Sequence, residues 1–261
     1  MKILVVLKMA PDVVEELDIA PSGTALDPRG QRMVVSESDE HALEEALILK
    51  ERHGGKVTVL ALDAPDVDEV LFAALAKGAD RAIKIKGAAK GLATSVAADT
   101  LAQVIGSELG LTPADLILCG VQAVDDLDGL IAPLIACQLG LPFLGIVTGL
   151  WVDAPGSRAF AIKEYPGGVR GEFEVAIPAV FGIQAAERPP RYIPVAKVRA
   201  AMKSHAIECI PAPLPVNAVT PLIQVLAMRK ATLAPRAEIL EGSPDGVSAR
   251  VCEILAGRDL I

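Results

Sequence analysis

The chain has 261 residues, enough to bury a sizeable core, and 52% of them are hydrophobic; with only one Trp, two Tyr and five Phe, that core is aliphatic. Lys+Arg of 25 against Asp+Glu of 33 gives a net charge of −8, which argues against nucleic acid or an acidic membrane as the main partner, because both reward clustered positive charge. Cys119, Cys137, Cys209 and Cys252 are widely spaced, with no Cys-x-x-Cys pair, so neither a disulfide framework nor a zinc site is expected.

The opening run Lys2-Ile3-Leu4-Val5-Val6-Leu7-Lys8 is too short for a signal peptide. No apolar stretch reaches the roughly 20 residues that span a bilayer. The expectation is a soluble cytoplasmic protein with no membrane insertion.

Ile3 to Leu7 reads as a strand buried on both faces. Asp12 to Met33 carries Pro21, Gly23, Pro28 and Gly30 and reads as a hairpin or loop. Ser36, with Asp39 three residues on, opens a helix whose stripe is Ala42, Leu43, Ala46, Leu47 and Leu49, ended by Gly54-Gly55. Val57 to Leu62 is a second strand, Val67 to Lys77 a second helix stopped by Gly78, and Ala82 to Ile85 a third strand. A helix from about Leu92 to Leu109, a strand from Leu116 to Cys119 and a helix from about Asp128 to Leu139 follow.

Strands alternating with helices at this spacing predict an α/β fold: a doubly wound, mainly parallel sheet with helices on both faces. Gly145 to Val152, Phe160 to Lys163, Glu172 to Ile177 and Val180 to Gln184 then read as strands with turns between, supplying antiparallel edge strands. From Pro189 onward prolines recur and periodicity lapses until Ser243-Pro244 opens a last helix, with Val247, Val251, Ile254 and Leu255 as its stripe. The predicted organisation is an α/β domain over residues 1–188 and an extended C-terminal arm over 189–261 that packs on something else.

Leu116 to Gly120 is an apolar run that ends in glycine and opens onto Val121-Gln122-Ala123-Val124-Asp125-Asp126-Leu127-Asp128-Gly129. A buried strand feeding a turn and a helix leaves N–H groups unpaired at the helix start, where nucleotide phosphates can bind. An ordinary strand-to-helix connection fits the segment equally well. The aspartates lack the spaced oxygen ligands of a calcium loop. Gly-x-Gly-x-x-Gly and Gly-Lys-Ser/Thr are both missing, and His41, His53 and His205 are scattered, so no catalytic constellation stands out.

Gly120-Val121-Gln122-Ala123-Val124-Asp125-Asp126 resembles the nucleotide loop of the electron transfer flavoprotein beta subunit family, and Asp39-Glu40-His41-Ala42-Leu43-Glu44-Glu45-Ala46 resembles its early acidic helix. Gly78-Ala79-Asp80-Arg81, Ile177-Pro178-Ala179-Val180 and Pro190-Arg191-Tyr192 fall in the family's order, and the resemblance runs from about Met1 to Met202. It implies an electron carrier subunit without bond-making catalysis. Its partners would be an alpha subunit holding most of an FAD, flavin-dependent dehydrogenases that donate electrons, and a downstream quinone oxidoreductase.

The resemblance also implies an adenine nucleotide at Val6, Ser36, Glu37, Ser38, Leu62 and the loop from Gly120 through Leu130 to Ile131. AMP is the ligand of typical members; a second FAD takes that place in bifurcating members and is the lesser expectation here. Typical members follow the aspartates with Asn-Gln-Thr-Gly, where this chain has Gly129-Leu130-Ile131-Ala132. Each lost side-chain donor costs on the order of 1–3 kcal/mol of binding. Ser36-Glu37-Ser38 replaces the usual Asn-Pro-Phe, and Val13 a tyrosine that approaches the flavin.

Glu164 matches a glutamate that faces the flavin domain, although Pro166 stands where an acid is usual. Arg191 to Met202 resembles the loop that docks dehydrogenases, with Val195 as the anchor and Ile193 and Val198 beside it; pinning the arm to its own subunit is their alternative role. A rival function of another class is an ATP-binding regulatory domain of the stress-protein kind. The Gly-x-x-Gly loop ending in Ser or Thr that such domains carry late in the chain is missing here.

Overall fold

An apolar strand is buried throughout only when both of its faces meet a packed layer, and β1 (Lys2–Leu7) is buried from Ile3 to Leu7. Ile3, Val5 and Leu7 enter one core layer, while Leu4 and Val6 enter the other, as the two-residue period of a strand requires. The structure, a computed structural model, describes residues 1–87, 93–107, 111–126, 128–153, 157–213, 223–231 and 237–261.

After β1 come β2 (Met9–Pro11), β3 (Met33–Val35), α1 (Glu37–His53), β4 (Lys56–Leu62), α2 (Val67–Lys77), β5 (Arg81–Lys86) and α3 (Thr94–Ser107). Then follow β6 (Leu116–Gly120), α4 (Ile131–Leu139), β7 (Phe143–Val147), β8 (Gly149–Val152), β9 (Arg158–Tyr165), β10 (Val169–Ala176) and β11 (Ala179–Ile183). The chain finishes with α5 (Val195–Ser204), β12 (Glu208–Pro211) and α6 (Pro244–Ala256).

Seven strands form the central sheet in the order β12-β5-β4-β1-β6-β11-β7, every neighbouring pair parallel. One core layer lies under α1 and α2, with Leu43, Leu47, Leu71 and Leu75 at its centre. The other lies under α3 and α4, with Leu101, Ile105 and Ile135. Burying a side chain of this size stabilises the fold by about 1.5–3 kcal/mol.

The α/β fold with a mainly parallel sheet is the one expected. The antiparallel strands exist, but they stand apart as a three-stranded sheet, β10-β9-β8, and both edges of the central sheet are parallel. The segment expected as one strand from Gly145 to Val152 is divided between the two sheets. Ile146 takes a left-handed φ of 60° and the pairing of β7 with β11 shifts register there, which turns the chain out of the central sheet. The expected hairpin over Asp12 to Met33 is based on the antiparallel pair β2 and β3.

Past residue 188 the chain first returns to the α/β domain. α5 packs against α2, and β12 pairs with β5 as the edge of the central sheet. The arm proper therefore begins after β12. Its described contacts are peripheral: the Met228 N–H donates to the Gly23 carbonyl at 2.7 Å, and Lys230 Nζ pairs with Glu16 and Asp18 at 3.1 and 2.7 Å.

Candidate functional site

β1 is followed by β4 on one side and flanked by β6 on the other, so strand order reverses between β1 and β6. Ligands of open α/β sheets bind beyond the carboxyl ends of strands at such a reversal. Here those ends are Leu7-Lys8 and Gly120-Val121.

Asp39, in the first turn of α1, bridges them. Its Oδ2 accepts the Lys8 N–H at 3.0 Å and its Oδ1 accepts the Gly120 N–H at 2.5 Å. Burial pushes this carboxyl up to about 7, against the opposing pull of the two N–H groups and the Lys8 ammonium. A glycine is required at 120 because α1 sits directly on it: a Cβ would lie 2.2 Å from Ser38 Oγ and 2.8 Å from the Asp39 nitrogen.

The loop after β6 is tied to both neighbours. Lys8 Nζ reaches Asp125 Oδ1 at 2.8 Å and Asp126 Oδ2 at 2.5 Å. Burial draws the Lys8 ammonium down, but its hydrogen bonds to the two aspartates and their charges outweigh that and hold it above its ordinary value. Ser38 Oγ donates to the Gln122 carbonyl at 2.6 Å, and the Val121 N–H donates to the Ile183 carbonyl at 3.0 Å. Asp126 Oδ1 accepts the Ala123 N–H, and Asp128 Oδ1 accepts the Leu130 N–H, both at 3.0 Å.

Those last bonds also explain why α4 begins at Ile131 and not near Asp128. The Asp128 side chain closes a local turn, and Gly129 takes a left-handed φ of 60° that no helix accommodates. No side chain caps α4.

Of the residues singled out in the sequence, Ser36, Ser38 and Gly120 to Asp126 come together here, with Asp128, Gly129, Leu130 and Ile131 leading into α4. Glu37 is exposed at the start of α1. The Val6 side chain is buried in the α3–α4 layer, where Leu62 is packed as well, so both strand ends offer backbone and not side chain. Leu127 lies outside the described residues. Glu164 is at the end of β9 in the small sheet and pairs with Arg170 at 2.9 Å.

Asp39 heads the acidic-helix motif, although the motif does not show what it grips, and Lys8 has no motif of its own. The only local signal for Lys8 is its place directly after a buried strand. Further along α1, acids hold the segment that leads to α5. His41 Nδ1 accepts the Ala186 N–H at 3.1 Å, and Glu45 Oε2 accepts the Glu187 N–H at 2.9 Å.

Glu44, 4% exposed, receives the Arg191 fork at 2.9 Å on each oxygen, and Glu51 takes a further Arg191 nitrogen at 2.7 Å. Burial would raise the Glu44 carboxyl, but the Arg191 hydrogen bonds and charge bring it below its ordinary value. Beyond that anchor Ile193 and Val198 are half-buried, whereas Val195, the first residue of α5, is 62% exposed beside an exposed Tyr192. The segment expected as a docking loop is thus helical from Val195.

No helix among the described residues is long and apolar enough to cross a membrane, and no group of His, Cys, Asp and Glu among them could hold a metal ion. An open depression lies at the opposite, amino end of the sheet, lined by Met1, Lys2, Gly55, Lys56, Pro113 and Asp115. It is remote from the strand ends at which α/β sheets bind ligands.

The family model described as the electron transfer flavoprotein domain matches residues 24–215. The chain is similar to electron transfer flavoprotein subunit beta of Methylophilus methylotrophus, at 30% identity over 98% of each chain. It is also similar to the subunit of that name from Clostridium acetobutylicum, at 34% identity over 76% of this chain and 74% of the other. Protein FixA of Bradyrhizobium diazoefficiens is 34% identical over 64% of this chain and 59% of its own. The reversal-point loop, the acidic helix that grips it and a match along nearly the whole length agree, and the chain belongs to the electron transfer flavoprotein family, among its beta subunits.

Proposed function

We propose that this chain pairs with a flavoprotein alpha subunit in the cytoplasm and passes electrons through an FAD held mostly by that partner. The end-to-end similarity to beta subunits carries the reading. When bound, the FAD supplies the chemistry of accepting and releasing electrons. This chain's own residues position and shield it and make no bonds themselves. Lys8, the cation at the reversal point, is engaged by Asp125 and Asp126, which fits an FAD whose pyrophosphate is bound on the other subunit.

In this reading residues 1–188 together with β12 form the body of the subunit, the segment through α5 supplies docking surface, and the chain beyond β12 supplies the arm. Glu164 faces the flavin domain. Val195, with Ile193 and Val198 behind it, enters a pocket on a flavin-dependent dehydrogenase, and a quinone oxidoreductase takes the electrons onward. Support for Val195 as the anchor is its exposure on a segment fixed by the Arg191–Glu44 pair. Of the nucleotides implied for the loop after β6, neither AMP nor a second FAD is part of the proposal.

Co-expression with the flavoprotein alpha subunit encoded beside this chain tests the reading. A yellow heterodimer that a flavin dehydrogenase reduces supports it; a colourless chain that binds no flavoprotein subunit sinks it. In Val195→Ala, slower reduction with unchanged heterodimer stability supports docking, and unchanged reduction removes Val195 from the interface.

A further inference from the structure

The resemblance implies AMP in the loop after β6, and the residues there do not fit it. A phosphate monoester carries about −1.5 to −2 charges at neutral pH. Lys8 is shared by Asp125 and Asp126, so its ammonium is already paired before any phosphate arrives. Asp128 already takes the Leu130 N–H, a donor that a phosphate at the start of α4 would need. Against this the start of α4 offers about half a positive charge. Leu130 and Ile131 contribute no side-chain donor, and Pro133, in the first turn, contributes no N–H.

The tying of loop to scaffold, which a bound nucleotide would do, is already done by the protein. Lys8 joins the end of β1 to Asp125 and Asp126, Ser38 holds the Gln122 carbonyl, and Asp39 clamps the N–H groups of Lys8 and Gly120. We infer that in this subunit Lys8 is a positioning residue that takes the structural place of the nucleotide, so that the heterodimer carries the flavin of its alpha subunit and no AMP. The inference rests on the beta-subunit reading above.

The test is to purify the co-expressed heterodimer, denature it and quantify the released nucleotides by mass spectrometry. The expected result is a single FAD with no AMP, and a melting temperature that millimolar AMP leaves unchanged. AMP or a second FAD in stoichiometric amount overturns the inference while leaving the beta-subunit reading intact. If no flavin-bearing heterodimer forms, that reading fails instead. The full chain alone is also titrated with AMP by calorimetry, and saturable binding there overturns the inference.

Lys8→Met is expected to raise amide hydrogen exchange over residues 120–126 by about tenfold or more, with Lys8→Arg close to wild type. Unchanged exchange in Lys8→Met removes Lys8 from the role. Should that variant fail to fold, the nucleotide content of the wild-type heterodimer still decides.

Discussion

α1 and α6 have similar local credentials: a serine before the first turn, acids near the start and an apolar stripe. α1 nevertheless has nine buried residues, among them Asp39, Glu44 and Glu45, whereas α6 has none. The difference teaches where this molecule is complete in itself. α1 has a sheet beneath it and backbone N–H groups at both ends to receive its acids. α6 has a proper N-cap, Ser243 Oγ accepting the Gly246 N–H at 3.3 Å, but among the described residues none of its side chains is buried. A 13-residue helix is marginal without tertiary support.

The harshest way to break α1's advantage is Gly120→Ala. The added methyl would strike Ser38 and the backbone of Asp39, and a loss of about 3 kcal/mol or more is expected. Urea unfolding of the isolated subunit measures it, and a loss below about 1 kcal/mol would mean that α1 is free to shift.

Arg191→Met removes the guanidinium from buried Glu44 and leaves it the backbone N–H of residue 191 at 3.0 Å. The pair is only partly enclosed, since Arg191 is 29% exposed, so about 2–3 kcal/mol is expected and not the upper end for buried pairs. Hydrogen exchange over residues 185–191 should rise in step; protection equal to wild type would show that Glu45 and His41 suffice.

Glu45 sharpens the comparison through pH. Burial raises its carboxyl from 4.5 to about 7, and its Oε1 has no hydrogen-bond partner. Between those values the unfolded chain has lost the proton and the folded chain keeps it, so stability is fullest below pH 4.5 and falls as pH rises through about 7. The shift corresponds to on the order of 3 kcal/mol. Asp39, raised from 3.8 to about 7, adds a fall of the same sign. Glu45→Gln should flatten the decline in urea midpoint from pH 5 to pH 8, and an unaltered slope would assign the decline elsewhere.

The smallest effect is expected from deleting residues 237–261. With no residue of α6 buried, the isolated subunit should change by no more than about 0.5 kcal/mol, while heterodimer formation is lost. A large loss in the isolated subunit would show that the arm folds onto its own domain.

The alternation of strands and helices was legible in the sequence because run length, period and glycine stops are properties of each segment alone. Ile3 to Leu7 and the α1 stripe lie where those rules place them. So does the last helix, α6, opened by Ser243 and Pro244. The loop after β6 could be singled out for the same reason, as an apolar run ending in glycine and acids.

What fills and fixes that loop belongs to the tertiary structure. Lys8 and Asp125 are 117 positions apart, and Glu44 and Arg191 are 147 apart. A periodic pattern reports which way a residue faces within its own element and says nothing of what faces it from another. The division of Gly145 to Val152 between two sheets, and the return of β12 to the central sheet, were likewise settled by which backbone edge was free to pair. By itself the sequence determined the elements and the kind of protein. Burial decided which of its many acids act: in the fold Asp39 and Glu44 lose water and must find N–H groups or a guanidinium, and local sequence carries no record of that exchange.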